Sequence, residues 1–148
     1  MPINIEITAT PDAKALAVIH GECFGQGQGW DAPAIQAMLA IKGTAAFVAA
    51  GYTGFGLLRA LEGDAEILTL AVLPQYRKRG IGEAITASMQ QWARHQGTER
   101  MFLEVRESNE AAQALYQKMG FAVISLRKEY YRNTDGPYES AIVMQWQA

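Results

Sequence analysis

The 148-residue chain is short of several things, and each shortage removes a class of protein. It has one cysteine, Cys23, and two histidines, which excludes a disulfide framework and a thiolate metal cluster; no metal is expected, and a reducing compartment suits the composition. It has almost no charge excess, with 13 basic against 15 acidic residues, whereas a nucleic-acid coat needs a strong basic surplus. No direct nucleic-acid partner is therefore expected. No stretch reaches the ~18 uninterrupted apolar residues of a membrane span, and the opening "MPINIEITATPD" lacks a charged n-region followed by an apolar h-region. Neither a membrane partner nor a leader is expected, and the cytoplasm is the expected location. Internal repeats, low-complexity tracts and long linkers are also missing. What is present is 49% hydrophobic content in ordinary globular proportions, enough for one domain over 1–148. Such a chain buries roughly 70% of its unfolded surface.

The periodicities alternate between strand and helix. "INIEIT" reads as an edge-type strand, and "TPDAKALAVIHGECF" follows as a helix with Thr10 as N-cap and Pro11 at its first position. Leu16, Ile19, His20, Cys23 and Phe24 share one face of it; His20 reads as a satisfied residue at the core edge and Cys23 as a small buried hydrophobe. The "GQGQG" loop at 25–29 reads equally as a substrate lid or a connector, and a short helix begins behind Asp31. "AAFVAAG", "GFGLLRALEG" and "AEILTLAVL" form an antiparallel meander. Ile81, Ala84, Ile85, Ser88, Met89, Trp92 and Ala93 then obey the i, i+3, i+4 rule up to Gly97. "RMFLEVR" reads as a strand covered on both faces, "NEAAQALYQKMG" as a helix closed by Gly120, and "FAVISLRKEYY" and "ESAIVMQW" as the last strands. Strand-helix-strand-helix-strand order over 65–125 implies crossovers within a mixed sheet, hence an α/β fold.

One stretch asks for a ligand. In "AVLPQYRKRGIGEAI" a strand ends at Pro74, three cations follow, and Gly80 and Gly82 open the strongest helix. A helix N-terminus leaves about four amides without partners and carries roughly half a positive charge. Without Cβ atoms at Gly80 and Gly82 a phosphate can approach those amides, while Arg77, Lys78 and Arg79 raise the potential; a pyrophosphate is the natural guest. The alternative is a solvated basic turn whose glycines serve geometry alone. A P-loop would need G-x-x-x-x-G-K-[ST], which is absent, and a dinucleotide fingerprint would need a small residue where Ile85 stands.

Arg77-x-x-Gly80-x-Gly82 directly after "ILTLAVLP" resembles the acetyl-CoA motif of the GNAT acyltransferase superfamily. "LEVRESNEAAQALYQKMGF" resembles, more narrowly, the ribosomal-protein alanine N-acetyltransferases. The similarity is dense from Glu66 to Tyr131, nearly half the chain. It implies a GNAT fold: a mixed, mostly antiparallel sheet with a splayed pair of parallel strands, flanked by about four helices. It implies acetyl-CoA as co-substrate, with Leu70, Ala71 and Val72 along its pantetheine arm and Arg77, Lys78, Arg79, Gly80, Ile81, Gly82 and Glu83 around its diphosphate. The acceptor it implies is a protein N-terminus, that of a small-subunit ribosomal protein. A small-molecule amine, a lysine, or a noncatalytic acyl-CoA-binding regulator are the alternatives.

Acetyl transfer to an amine needs a base, oxyanion donors and an acid for the departing thiolate. Glu104 is the only acid within an otherwise apolar strand, on one face with Phe102 and Arg106, where partial desolvation would raise its basicity. From the residues alone it is equally a structural carboxylate paired with Arg106 or another cation; the resemblance makes it the base. Tyr116 lies two helical turns after Asn109, so the two share a face about 10 Å apart. Read alone they are a packing ring and a helix cap; the resemblance makes Tyr116 the acid and Asn109 a cofactor contact. Backbone amides around Ala71 and Val72 are the proposed oxyanion donors. Tyr130 and Tyr131 match a tyrosine pair that shapes the peptide pocket of the family. Two departures fall near the acceptor side: "CFGQGQGW" is longer than the family's segment and lacks its proline, and the usual acidic pair before the last strand is reduced to Glu139-Ser140.

Overall fold

The computed structural model describes residues 2–25, 29–132 and 138–148, with side chains for 2–25, 29–128 and 139–148. Elements follow in the order β1 (Ile5–Thr8), α1 (Ala13–Phe24), α2 (Ala32–Leu39), β2 (Thr44–Ala49), β3 (Gly54–Leu61), β4 (Asp64–Val72), α3 (Ile81–His95), β5 (Arg100–Arg106), α4 (Glu110–Lys118), β6 (Ala122–Arg132) and β7 (Tyr138–Gln147). The strands form one sheet in the order β1-β2-β3-β4-β5-β7-β6. Every neighbouring pair is antiparallel except β4–β5. This is the mixed sheet the sequence implies, with its edge strand and its meander where expected.

Binary pattern explains the layers. In β2 every residue is buried, because alternate side chains enter two different cores: Ala45, Phe47 and Ala49 face α3 and α4, while Ala46 and Val48 face α1 and α2. Phe47 and Phe55, each fully buried and one per face, stabilise the fold by roughly 1.5–3 kcal/mol apiece. Helix α3 buries Ile81, Ile85, Met89 and Ala93 as its spacing predicts, and also two polar residues that periodicity does not single out. Thr86 Oγ1 donates to Gly82 O at 2.8 Å, and Gln90 Nε2 donates to Met119 O at 2.8 Å, so neither hydrophilic group is buried without a partner.

Two expectations are corrected. The cap of α1 is Asp12, whose carboxylate accepts from the amides of Lys14 and Ala15, and the helix starts at Ala13, so Thr10 and Pro11 precede it. A carboxylate serves two orphan amides at once and also suits the positive end of the helix dipole. Strand β5 is not covered on both faces: Met101, Leu103 and Val105 are buried, but Phe102, Glu104 and Arg106 face an open side of the sheet. A carboxylate on an uncovered face stays within reach of a solute.

Candidate active site

The parallel ladder between β4 and β5 is short. It runs from Asp64↔Arg100 to Glu66↔Phe102 and stops. The cause lies two residues further along β4. Leu57 pairs with Thr69 and Leu58 with Ile67, which leaves Leu68 as an extra residue, a β-bulge. A bulge bends its strand and increases its twist, so β4 leaves β5 and a wedge opens through the sheet. The resulting cleft of about 210 Å³ is lined by β4, by β5 including Glu104, by Asn109, Ala112 and Tyr116 of α4, and by His20, Phe24 and Trp30.

The bulge also decides which amides face the wedge. Leu73 donates its amide to Thr53 O at 2.9 Å, and by the alternation of an antiparallel ladder Ala71 turns its amide to β3 as well. Leu70 and Val72 therefore present their amides to the opening, and Ala71, expected among the donors, does not. The carbonyl of Val72 is engaged by Arg77 Nε at 3.0 Å and by the Cys23 thiol at 3.3 Å. Burial pushes that thiol up, against the hydrogen bond from Arg77, which keeps it protonated.

At the far end of β4, a 3₁₀ turn over Pro74–Tyr76 leads to the N-terminus of α3. Helices α1, α2 and α4 are capped by the side chains of Asp12, Asp31 and Asn109, but α3 begins at Gly80 with no side-chain cap. The amide of Ala84 is taken by Gly80 O at 3.0 Å, and those of Ile81, Gly82 and Glu83 remain to meet an anion. The two glycines have separate reasons. Gly80 sits at φ +83°, in the left-handed region that favours glycine. Gly82 packs closely against α4, where a Cβ would lie 3.1 Å from Leu115 Cδ2, so its bareness also serves helix packing. Lys78 also adopts a positive φ, +63°. Of the other cations, Arg77 folds back to Val72 and Arg79 lies over the Tyr76 ring at 5.4 Å. The Glu83 side chain turns away to Lys118 of α4 at 2.7 Å, leaving its backbone amide as what it can offer an anion.

The titratable groups arrive from opposite faces. Glu104 projects from the face of β5 opposite Leu103 and Val105, while Tyr116 projects from α4 on the other side. The Glu104 side chain is 30% exposed and is ion-paired with Arg127 of β6. The partner is thus another cation than Arg106, which binds Glu139 at 3.2 Å. Glu139 also accepts from the Ser108 amide at 2.6 Å, and that bond, with Arg106 beside it, holds the carboxyl below its usual range. The residue thus clamps β7 to the loop before α4, next to Asn109. Asn109 caps α4 through Ala112 N at 3.1 Å, as its reading as a helix cap expects, and it also lines the cleft. Tyr116 is buried edge-on against Phe121, and burial pushes its phenol well above its ordinary value. It stays protonated near neutrality, as a proton donor must. Tyr130 and Tyr131 belong to β6, but their side chains lie outside the described residues, as does the 26–28 part of the glycine loop.

A wedge between two parallel strands, followed by an uncapped helix, is a distinctive arrangement, and the sequence profile of the acetyltransferase (GNAT) family matches residues 16–121, most of the chain. The chain belongs to the GNAT acetyltransferase family. Among GNAT relatives, the ribosomal protein bS18-alanine N-acetyltransferase of Escherichia coli strain K12 is 37% identical over 90 residues, 61% of this chain and 60% of that protein. N-alpha-acetyltransferase RimI of Mycobacterium tuberculosis is 32% identical over 138 residues, 88% of this chain and 85% of that one. The crystal structure of the ribosomal-protein-S18-alanine N-acetyltransferase from Escherichia coli superposes with a TM-score of 0.85 at 26% identity, covering 97% of this chain and 94% of that chain. In sequence, the chain spans about 60% of the length of the first bS18-modifying relatives it matches. Among the described residues no helix is long and apolar enough to cross a membrane, and no group of three or more His, Cys, Asp or Glu is placed to hold a metal.

Sequence reasoning passed over Thr69 and Trp30, which line the cleft. Thr69 was hidden by the bulge, which no residue type announces. His20 is the satisfied, buried residue expected of it, with both ring nitrogens hydrogen-bonded, and it also lines the opening, while Arg127 of β6 pairs with Glu104.

Proposed function

We propose that residues 1–148 act as one cytoplasmic domain that transfers an acetyl group from acetyl-CoA to the N-terminal α-amine of a protein, by direct attack. The observation that carries this reading is the wedge, with a carboxylate on one face of the sheet and a protonated phenol on the other. Acetyl-CoA supplies the activated acyl group as a thioester. Its diphosphate suits the free amides of Ile81, Gly82 and Glu83 beside Arg77, Lys78 and Arg79, its pantetheine arm suits the open edge of β4 at Leu70 and Val72, and Asn109 flanks it. An α-amine with a reference pKa near 8 is partly protonated at neutral pH, so a carboxylate suffices as base. Glu104 accepts that proton, directly or through one water, once the incoming ammonium takes the place of Arg127 at its side. The Leu70 and Val72 amides meet the negative charge that develops on the acyl oxygen. As the C–N bond forms and the C–S bond breaks, Tyr116 gives its proton to the departing sulfur and recovers one from solvent. Tyr130 and Tyr131 border the acceptor.

The names of the bS18-modifying relatives favour a small-subunit ribosomal protein as acceptor. The experiment is free-thiol release from acetyl-CoA against N-terminal peptides, lysine peptides and polyamines. Release with alanyl N-termini is expected; release confined to polyamines or lysines overturns the acceptor, and none with any amine overturns the activity. Replacing Tyr116 by Phe should slow turnover by about 10²-fold, and an undiminished rate would assign the acid role to water.

A further inference from the structure

His20 lines the acceptor side of the wedge in an unusual state: every atom it could use for acid–base chemistry is already committed. Its ring is stacked between Phe24, 4.3 Å between centroids, and Trp30, 4.8 Å. The Trp30 amide donates to Nδ1 at 2.9 Å, so Nδ1 is an acceptor and carries no proton. Burial lowers the pKa of the imidazole to about 4, so the ring is neutral near pH 7 and its one proton sits on Nε2. Nε2 lies 2.9 Å from Thr69 Oγ1 and must therefore donate to it. The ring cannot take a proton from a substrate. What it does is fix a hydroxyl: with its lone pair receiving the Nε2 proton, Thr69 is left to donate its own hydrogen.

The bulge at Leu68 puts Thr69 on the same side of the sheet as Glu104 and beside the same cleft. A peptide acceptor with its amine at Glu104 carries a carbonyl oxygen one carbon beyond the α-carbon; a lysine side chain or an alkylamine has no acceptor at that distance from its nitrogen. We propose that Thr69 is a specificity-determining residue which donates a hydrogen bond to the first carbonyl of the acceptor peptide, and that His20 is the positioning residue which holds it as a donor. This rests on the N-terminal acetylation proposed above and adds the group that recognises a peptide α-amine as such.

The test is steady-state kinetics with an alanyl peptide, beside calorimetry with acetyl-CoA. Thr69→Val keeps the shape and loses the hydroxyl; it should raise the peptide KM about tenfold, the factor of one neutral hydrogen bond, with acetyl-CoA affinity unchanged. Thr69→Ser should restore the KM. His20→Leu should raise it similarly, and the double variant His20→Leu/Thr69→Val should be no worse than Thr69→Val alone, since His20 acts through Thr69. An unchanged KM in Thr69→Val, failure of serine to restore it, or losses that multiply in the double variant each overturn the inference. If the unaltered protein acetylates no N-terminal peptide, the functional reading falls and takes this one with it. An active protein with an indifferent Thr69→Val loses only the inference.

Discussion

The two mouths of the wedge are made of different material. On the proposed co-substrate side much of the chemistry is main chain: the open amides of Leu70 and Val72 and the uncapped start of α3 at Gly80, with the side chains of Arg77, Lys78, Arg79 and Asn109 beside them. On the acceptor side it is side chain: His20 and Phe24 from α1, Trp30, Thr69 from β4, Glu104 from β5 and Arg127 from β6. A site of amides can be held by a short contiguous run of sequence. A site of side chains needs several elements folded together, and any one of them can be exchanged without touching the cofactor.

This division can be broken by experiment. Glu104→Gln should lower turnover by about 10²–10⁴-fold while acetyl-CoA binds as before in calorimetry; a parallel loss of acetyl-CoA affinity would erase the distinction between the sides. The acceptor side should also carry a pH signature. Because the His20 pKa is lowered from 6.5 to about 4, the unfolded chain binds the proton more readily than the folded one. The stabilisation is complete above pH 6.5, declines as pH falls from 6.5 to 4, and levels off below. At 1.36 kcal/mol per pH unit the loss is about 3 kcal/mol. Urea midpoints across that range should fall in the unaltered protein and be flatter in His20→Gln; equal slopes would remove His20 as the cause. On the co-substrate side, Gly82→Val should cost about 1–3 kcal/mol by overpacking against Leu115. Gly80→Ala should cost about 1 kcal/mol from its left-handed backbone. Both should weaken acetyl-CoA more than the acceptor peptide, and the reverse order would place the anion elsewhere. Cys23→Ala should leave turnover unchanged, because its thiol is kept protonated and donates to a strand carbonyl.

The same contrast governs what could be read in advance. The meander, the crossovers and α3 follow from periodicity that each segment carries in itself, and the turn at Arg77–Gly82 can be singled out from its spacing as a candidate anion site. The packing role of Gly82 was not legible, since Leu115 belongs to another helix. Glu104 could be singled out as the acid in an apolar strand, but its pairing with Arg127 rather than Arg106 depends on β7 placing Glu139 beside Arg106. Asp12 displaced Thr10 as cap because its carboxylate reaches two amides, a choice that depends on where the helix begins rather than on which residues are able to cap it.

Leu68 gives the wedge an unusual kind of vulnerability. Ile67 faces the α3–α4 core, and Leu68 and Thr69 both face the other side, after which Leu70 returns to the first. Excising Leu68 would therefore preserve the orientation of every remaining side chain on β4 while removing the kink that parts it from β5. A shortened chain of this kind would keep every reactive group and lose the aperture between them. By that reckoning, the parting of β4 from β5 rests on a single surplus residue.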